Sequence, residues 1–206
     1  MKTFQAVLVL TALLAFMPPI CLGGRHDFRK VDWGQPRKKI RAAEAQKPLS
    51  AGDDQMVFEA RLLGREMLVK YWFSSDRLIG ATYEPVAPHL NENKYMQDFA
   101  DFTAILTEKY GQPKEDQKIW KGGDYFKNEP SQWGAAVSTG KLTCRTIWIN
   151  DKTEIELLLT GANFNVTFEI NYWSREWKHL ARPTTADRPI KRDLSDIQRK
   201  EAMDNF

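Results

Sequence analysis

Cysteine and histidine are almost absent from this sequence. Of 206 residues, two are cysteine (Cys21 and Cys144) and three are histidine (His26, His89 and His179). Two cysteines cannot build a disulfide framework, so stability rests on a hydrophobic core. The histidines are scattered and the cysteines stand far apart, which leaves no closely spaced pair of the kind zinc sites use. No Gly-x-Ser-x-Gly, His-Glu-x-x-His, phosphate-cradling glycine loop or dinucleotide fingerprint occurs. The acidic pairs Asp53-Asp54 and Glu115-Asp116 read as solvated turns, because a calcium loop needs more oxygen ligands at regular intervals. These absences argue against an enzyme and against a metal or other cofactor. They leave open a cryptic hydrolase using carboxylates that converge only in the fold, or Cys144 with His89 as its base.

Charge of one sign is also missing as a block. There are 30 Lys and Arg against 27 Asp and Glu, and they are interspersed. Without Lys2 the balance is 29 bases to 27 acids, or +2. A phosphate backbone demands a concentrated basic face, so nucleic acid is excluded as an expected partner.

The one sustained apolar run is at the N-terminus. Lys2 is followed by residues 4–16, then Pro18 and Pro19, then Ile20-Cys21-Leu22-Gly23-Gly24. This layout predicts a secretory signal over 1–24, cleaved near Gly23 or Gly24. The run falls short of the roughly 20 residues a membrane span needs. Export to the periplasm or the extracellular space follows, with a membrane tether only if Cys21 is lipidated. Pro18, Pro19 and Ile20 fit a lipoprotein signal badly.

Beyond the signal, 28–34 predicts a brief strand or extended lead-in. Pro36 suits a helix start, and 37–46 is rich in helix formers. Three runs of period-2 alternation follow. Met56, Phe58, Ala60 and Leu62 share a face in the first, and Met67, Val69, Tyr71 and Phe73 in the second; the third is 77–83. Tyr95, Phe99, Phe102, Leu106 and Tyr110 then form one stripe at helical spacing, with Asn91 or Asn93 to start it and Gly111 and Pro113 to end it. A loop rich in Lys, Gly and Asp leads to four further strand-like runs over 133–138, 141–149, 153–160 and 165–173. Asn165-Val166-Thr167 matches a glycosylation acceptor, which matters only in a eukaryotic secretory pathway.

The expected architecture is α+β: antiparallel meander sheet with two helices packed on one face. The expected organisation is one domain over 25–174, with possible sub-repeats 28–88 and 89–174 forming a tandem helix-plus-meander duplication. Residues 175–206 are polar and proline-bearing, and read as a disordered tail.

Seven tryptophans are the unusual presence: Trp33, Trp72, Trp120, Trp133, Trp148, Trp173 and Trp177. Trp72 is out of phase with Met67, Val69, Tyr71 and Phe73, and Trp173 with Phe168, Ile170 and Tyr172. If the in-phase residues form the core, these two indoles lie on the sheet's other face, either as a binding surface or packed beneath other chain. Trp72, Trp173 and Trp33 are the candidate binding residues.

Phe28 to Gly34 followed by a helix resembles many uncharacterised exported bacterial proteins. Gly34-Gln35-Pro36 with Ile40, and Tyr110-Gly111-Gln112-Pro113, more remotely resemble the small outer-membrane assembly lipoproteins and the β-lactamase-inhibitor-like proteins. The resemblance implies a helix paired with an antiparallel meander, sometimes in tandem, and action by binding other proteins. Pro36 stands where that pattern usually has Thr or Ser, and helix 95–110 is longer than the pattern implies. The expected function is thus an exported, non-enzymatic binding or envelope-accessory protein with a protein partner. The alternative is a carrier of a lipid or sugar.

Overall fold

The computed structural model describes residues 26–122 and 125–180. The expected signal at 1–24 and the chain beyond 180 lie outside the described residues. Eight strands form one fully antiparallel sheet: β1 (Ser50–Ala51), β2 (Gln55–Leu62), β3 (Arg65–Ser74), β4 (Arg77–Pro85), β5 (Glu115–Trp120), β6 (Leu142–Ile149), β7 (Thr153–Ala162) and β8 (Asn165–Ser174). Three helices, α1 (Arg37–Ala43), α2 (Asn93–Tyr110) and α3 (Trp133–Ser138), accompany it.

The strand order is β1-β2-β3-β4-β8-β7-β6-β5. The first half of the chain supplies α1 followed by β1–β4, and the second supplies α2 and β5–β8 with α3 set between β5 and β6. The last strands of the two halves, β4 and β8, pair antiparallel at the centre through Gly80↔Trp173, Ala81↔Tyr172, Thr82↔Asn171 and Tyr83↔Ile170. Successive side chains on a strand alternate faces, so this register fixes the faces along the seam; a bulge at Ile79 between the Trp72↔Gly80 and Phe73↔Leu78 pairs interrupts the alternation on β4.

One face holds the core. Met56 and Phe58, Val69 and Tyr71, Ala81 and Tyr83, Ile170 and Tyr172, Leu157 and Leu159, and Cys144 and Trp148 all belong to a single buried cluster. α1 adds Ile40, and α2 adds Tyr95, Phe99, Phe102 and Leu106, the stripe expected from their spacing. The Arg37 guanidinium lies 4.7 Å from the Phe73 ring centroid, and the ring centroids of Phe102 and Phe168 are 5.6 Å apart. Both helices thus cover the same face of the sheet.

Between them the lead-in segment makes a plug rather than a strand. A single bridge joins Phe28 and Val31, and the Phe28 ring reaches Tyr71, Tyr83 and Tyr172, all within 5.6 Å between centroids. Burying apolar area at about 25 cal/mol per Å² makes such an aromatic plug worth several methylene groups of stability.

Four expectations are corrected. Residues 133–138 are helical, not a strand: Pro130 opens a 3-10 turn that runs into α3, which packs on β6, β7 and β8. The fourth strand of the second half is instead β5, in the stretch read as loop, so Glu115 and Asp116 are strand residues. The helices on the core face therefore number three, not two. The folded chain also runs past 174, with Trp177 packed against the core and a 3-10 turn at Lys178–Leu180. Among the described residues no helix is long and apolar enough to cross a membrane.

Candidate functional site

The second face of the sheet has no helix on it among the described residues. Cross-strand register puts Trp72, Gly80, Trp173 and Glu154 in one row of this face, and Lys70, Thr82, Asn171 and Glu156 in the next. Trp72 and Trp173 thus lie opposite the core, where their phase puts them. Their settings differ. Trp173 is only 6% exposed, and its indole lies across Gly80, where the missing side chain leaves room for it. Trp72 is half-buried and carries the more accessible ring.

A hydrogen-bond chain fixes the Trp72 ring. Its Nε1–H donates to Thr82 Oγ1 at 2.9 Å, Thr82 Oγ1 donates to Asn171 Oδ1 at 2.8 Å, and Asn171 Nδ2 donates to Glu169 Oε2 at 3.3 Å. The chain crosses β3, β4 and β8, the junction of the two halves. Thr82, Asn171 and Glu169 are all buried, and a buried polar chain with its partners in place holds one geometry. Ion pairs border it: Lys70 Nζ–Glu84 Oε1 at 2.7 Å, and Arg145 Nε–Glu156 Oε1 at 2.5 Å. The result is an indole plate in a fixed orientation within a charged frame.

Trp33 belongs to neither the row nor the face. It is buried in the core cluster, stacked on Phe28, and its Nε1–H donates to Thr153 Oγ1 at 2.8 Å. It works as a core residue that ties the lead-in plug to β7.

Thr82 and Asn171 were not singled out from the sequence, although their phase is legible. Each is one residue out of step with core neighbours, Ala81 and Tyr83 or Ile170 and Tyr172, which puts them on the Trp72 face. Their pairing depends on the β4–β8 register and leaves no local trace.

Two other polar clusters are structural in their geometry. Asp98, buried on the apolar stripe of α2, receives Arg65 at 2.5 Å and has His89 Nε2 at 2.8 Å. The His89 backbone N–H donates to Tyr95 Oη at 3.0 Å, so the cluster ties the 86–92 loop and β3 to α2. On the core face, Arg29 forks onto Glu44 with both contacts at 3.1 Å, and the Tyr71 hydroxyl donates to the same carboxylate. Burial first, then the Glu44 carboxylate, drives Tyr71 well above the ordinary tyrosine range.

The expectation that kept a hydrolase open set Cys144 beside His89. Cys144 is instead buried on β6, and no hydrogen bond joins it to His89. Burial pushes its thiol up to about 11, with Lys118 only partly opposing and Asp116 adding to the rise. A nucleophilic thiol needs the opposite shift. Among the described residues no three His, Cys, Asp or Glu side chains converge as metal ligands.

Neither a family model, nor a curated protein, nor a solved structure matches this chain.

Proposed function

We propose that this chain is an exported, non-catalytic binding protein that engages a protein partner through the helix-free face of its sheet, centred on Trp72. The observation that carries this reading is the fixed indole. Trp72 is half-buried, its N–H is held by the Thr82–Asn171–Glu169 chain, and charged residues frame it. Tryptophan in a preorganised setting contributes large contact area at little entropic cost, the property that makes it a common anchor of protein interfaces.

The order of elements supports the same reading. A helix with four antiparallel strands in each half, the second interrupted by α3 between β5 and β6, is close to the helix-plus-meander pattern implied by the resemblance to the small outer-membrane assembly lipoproteins and the β-lactamase-inhibitor-like proteins, which act by binding other proteins. The buried, protonated Cys144 supports a non-catalytic role.

Affinity capture from the source organism tests the proposal. Wild-type chain is compared with Trp72→Ala and with Lys70→Glu, each checked by thermal unfolding. The same proteins should be recovered by wild type and lost from both folded variants. Identical recovery by Trp72→Ala would overturn the assignment of this face.

A further inference from the structure

Four carboxylates stand at the middle of the helix-free face. Glu154 and Glu156 pair with Trp173 and Asn171, and Glu84 and Glu169 stand two residues from Thr82 and Asn171, which puts all four on this face. Strands about 4.8 Å apart, with about 3.4 Å per residue along each, keep the four within roughly 16 Å of one another. The stretches of β4, β8 and β7 that carry them, 80–84, 167–173 and 154–160, contain no Lys or Arg. Cations reach them from the flanks. Lys70 Nζ lies 2.7 Å from Glu84 Oε1, Arg145 Nε lies 2.5 Å from Glu156 Oε1, and Lys178 pairs with Glu154 Oε1. Farther out the face adds Glu59, Glu66 and Glu115 against Arg61 and Arg77. Acids therefore exceed bases across the face as well as at its centre.

These carboxylates are already largely out of water. The side chains of Glu84, Glu156 and Glu154 are 15%, 13% and 19% exposed, and Glu169 is buried. Each of the three central ion pairs engages one oxygen, Oε1, whereas a carboxylate has two oxygens and about four lone-pair sites. A partner that closes over the face removes the water that remains. An apolar surface would then leave charge buried with nothing in place of that water, and an acidic surface would add repulsion. Lysine or arginine side chains instead replace the water with charge-assisted hydrogen bonds, and arginine can supply two parallel N–H donors to one carboxylate.

We infer that the protein partner presents a cluster of arginine or lysine side chains, which seat on Glu84, Glu154, Glu156 and Glu169 beside the Trp72 indole. The partner's basic character rests on the reading of this face as the docking surface. Lys70→Glu breaks the ion pair that holds Glu84, so the charge it adds is no guide to the sign of the partner. Glutamine in place of the glutamates keeps their shape and removes the charge alone.

Three synthetic peptides of about a dozen residues are the probes: Gly-Ser chains with arginine at alternate positions, with glutamate at those positions, or with neither. Each is titrated into the full chain while backbone amide resonances are followed. The arginine peptide should shift amides at 80–84, 154–158 and 169–173, more weakly as salt rises, and the other two should not. Glu84→Gln combined with Glu156→Gln should weaken its binding by about three- to tenfold in protein shown to be folded by thermal unfolding. Glu154→Gln, whose partner Lys178 is 48% exposed, serves the same comparison should the double variant fail to fold. Equal binding of the arginine and uncharged peptides, shifts confined to other residues, or unchanged affinity in the folded glutamine variants would each overturn the basic partner. Capture from the source organism separates this from the face itself. Recovery lost with Trp72→Ala but unchanged by the glutamine variants and by salt removes the basic character alone, whereas recovery unaffected by Trp72→Ala removes the face. If Lys191→Ser with Arg192→Ser moves the same amides without peptide, the chain's own basic stretch is the occupant and the intermolecular assignment falls.

Discussion

Trp173 lies flat across the backbone of Gly80, its neighbour on the adjoining strand. A side chain at position 80 would run into the indole, and a Cβ there would come within 2.9 Å of the Tyr172 carbonyl oxygen. The missing side chain at 80 and the large one at 173 are two parts of one packing unit, at the seam where the halves of the sheet meet. Gly80→Ala should therefore cost about 1–3 kcal/mol through overpacking. Denaturant midpoints measure this, and a double-mutant cycle with Trp173→Leu should return part of the loss, because the two sites share one contact.

The hydrogen-bond chain beneath Trp72 makes a second prediction. Thr82→Val removes both an acceptor for the Trp72 N–H and a donor to Asn171, leaving buried polar groups unsatisfied. The expected loss is about 1–3 kcal/mol in chemical denaturation, while Thr82→Ser keeps most of the stability. Equal effects of the two substitutions would mean that Thr82 acts through its methyl group.

Cys144 should be inert in the folded protein. Its thiol is pushed up to about 11 by burial, so near neutral pH the thiolate that reacts is scarce as well as hidden. Peptide mapping after iodoacetamide treatment should show Cys144 unmodified in native protein and modified once the chain is unfolded in guanidinium. Rapid native modification would contradict the described burial.

Alkaline pH should weaken the fold through its tyrosines. Burial comes first among the causes that raise Tyr71, Tyr83, Tyr95 and Tyr172. An unfolded tyrosine ionises near about pH 10. Above that pH the unfolded chain has shed protons that the folded chain retains, so stability falls as pH rises; below it these groups give no slope. Urea unfolding at stepped alkaline pH should show this onset. Tyr172→Phe should give a shallower decline, since it removes one of the phenols involved.

Much of this arrangement is legible along the chain. Period-2 alternation assigns Met67, Val69, Tyr71 and Phe73 to one face and Trp72 to the other, because neighbouring strand residues must point opposite ways. The spacing of Tyr95, Phe99, Phe102 and Leu106 determines the buried stripe of α2, because a helix returns to the same side every 3.6 residues. The high apolar content of the alternating runs likewise determines an α+β core without disulfides.

What the sequence left undetermined is non-local or too short to carry a period. The six residues Trp133–Ser138 are apolar enough for either a strand or a helix, and only packing against β6, β7 and β8 selects the helix. Strand β5 carries charge along an edge and lacks the apolar alternation of a buried strand, so its pairing with β6 is set by tertiary contact. The β4–β8 seam joins positions 89 residues apart at Thr82 and Asn171. It decides that Trp72 is held in place and that Trp173 is buried over Gly80, whereas contact with Phe28 and the Thr153 hydroxyl of β7 places Trp33 in the core. Local propensity reports one element at a time, whereas strand order, face-sharing and hydrogen-bond pairing exist only once distant elements meet.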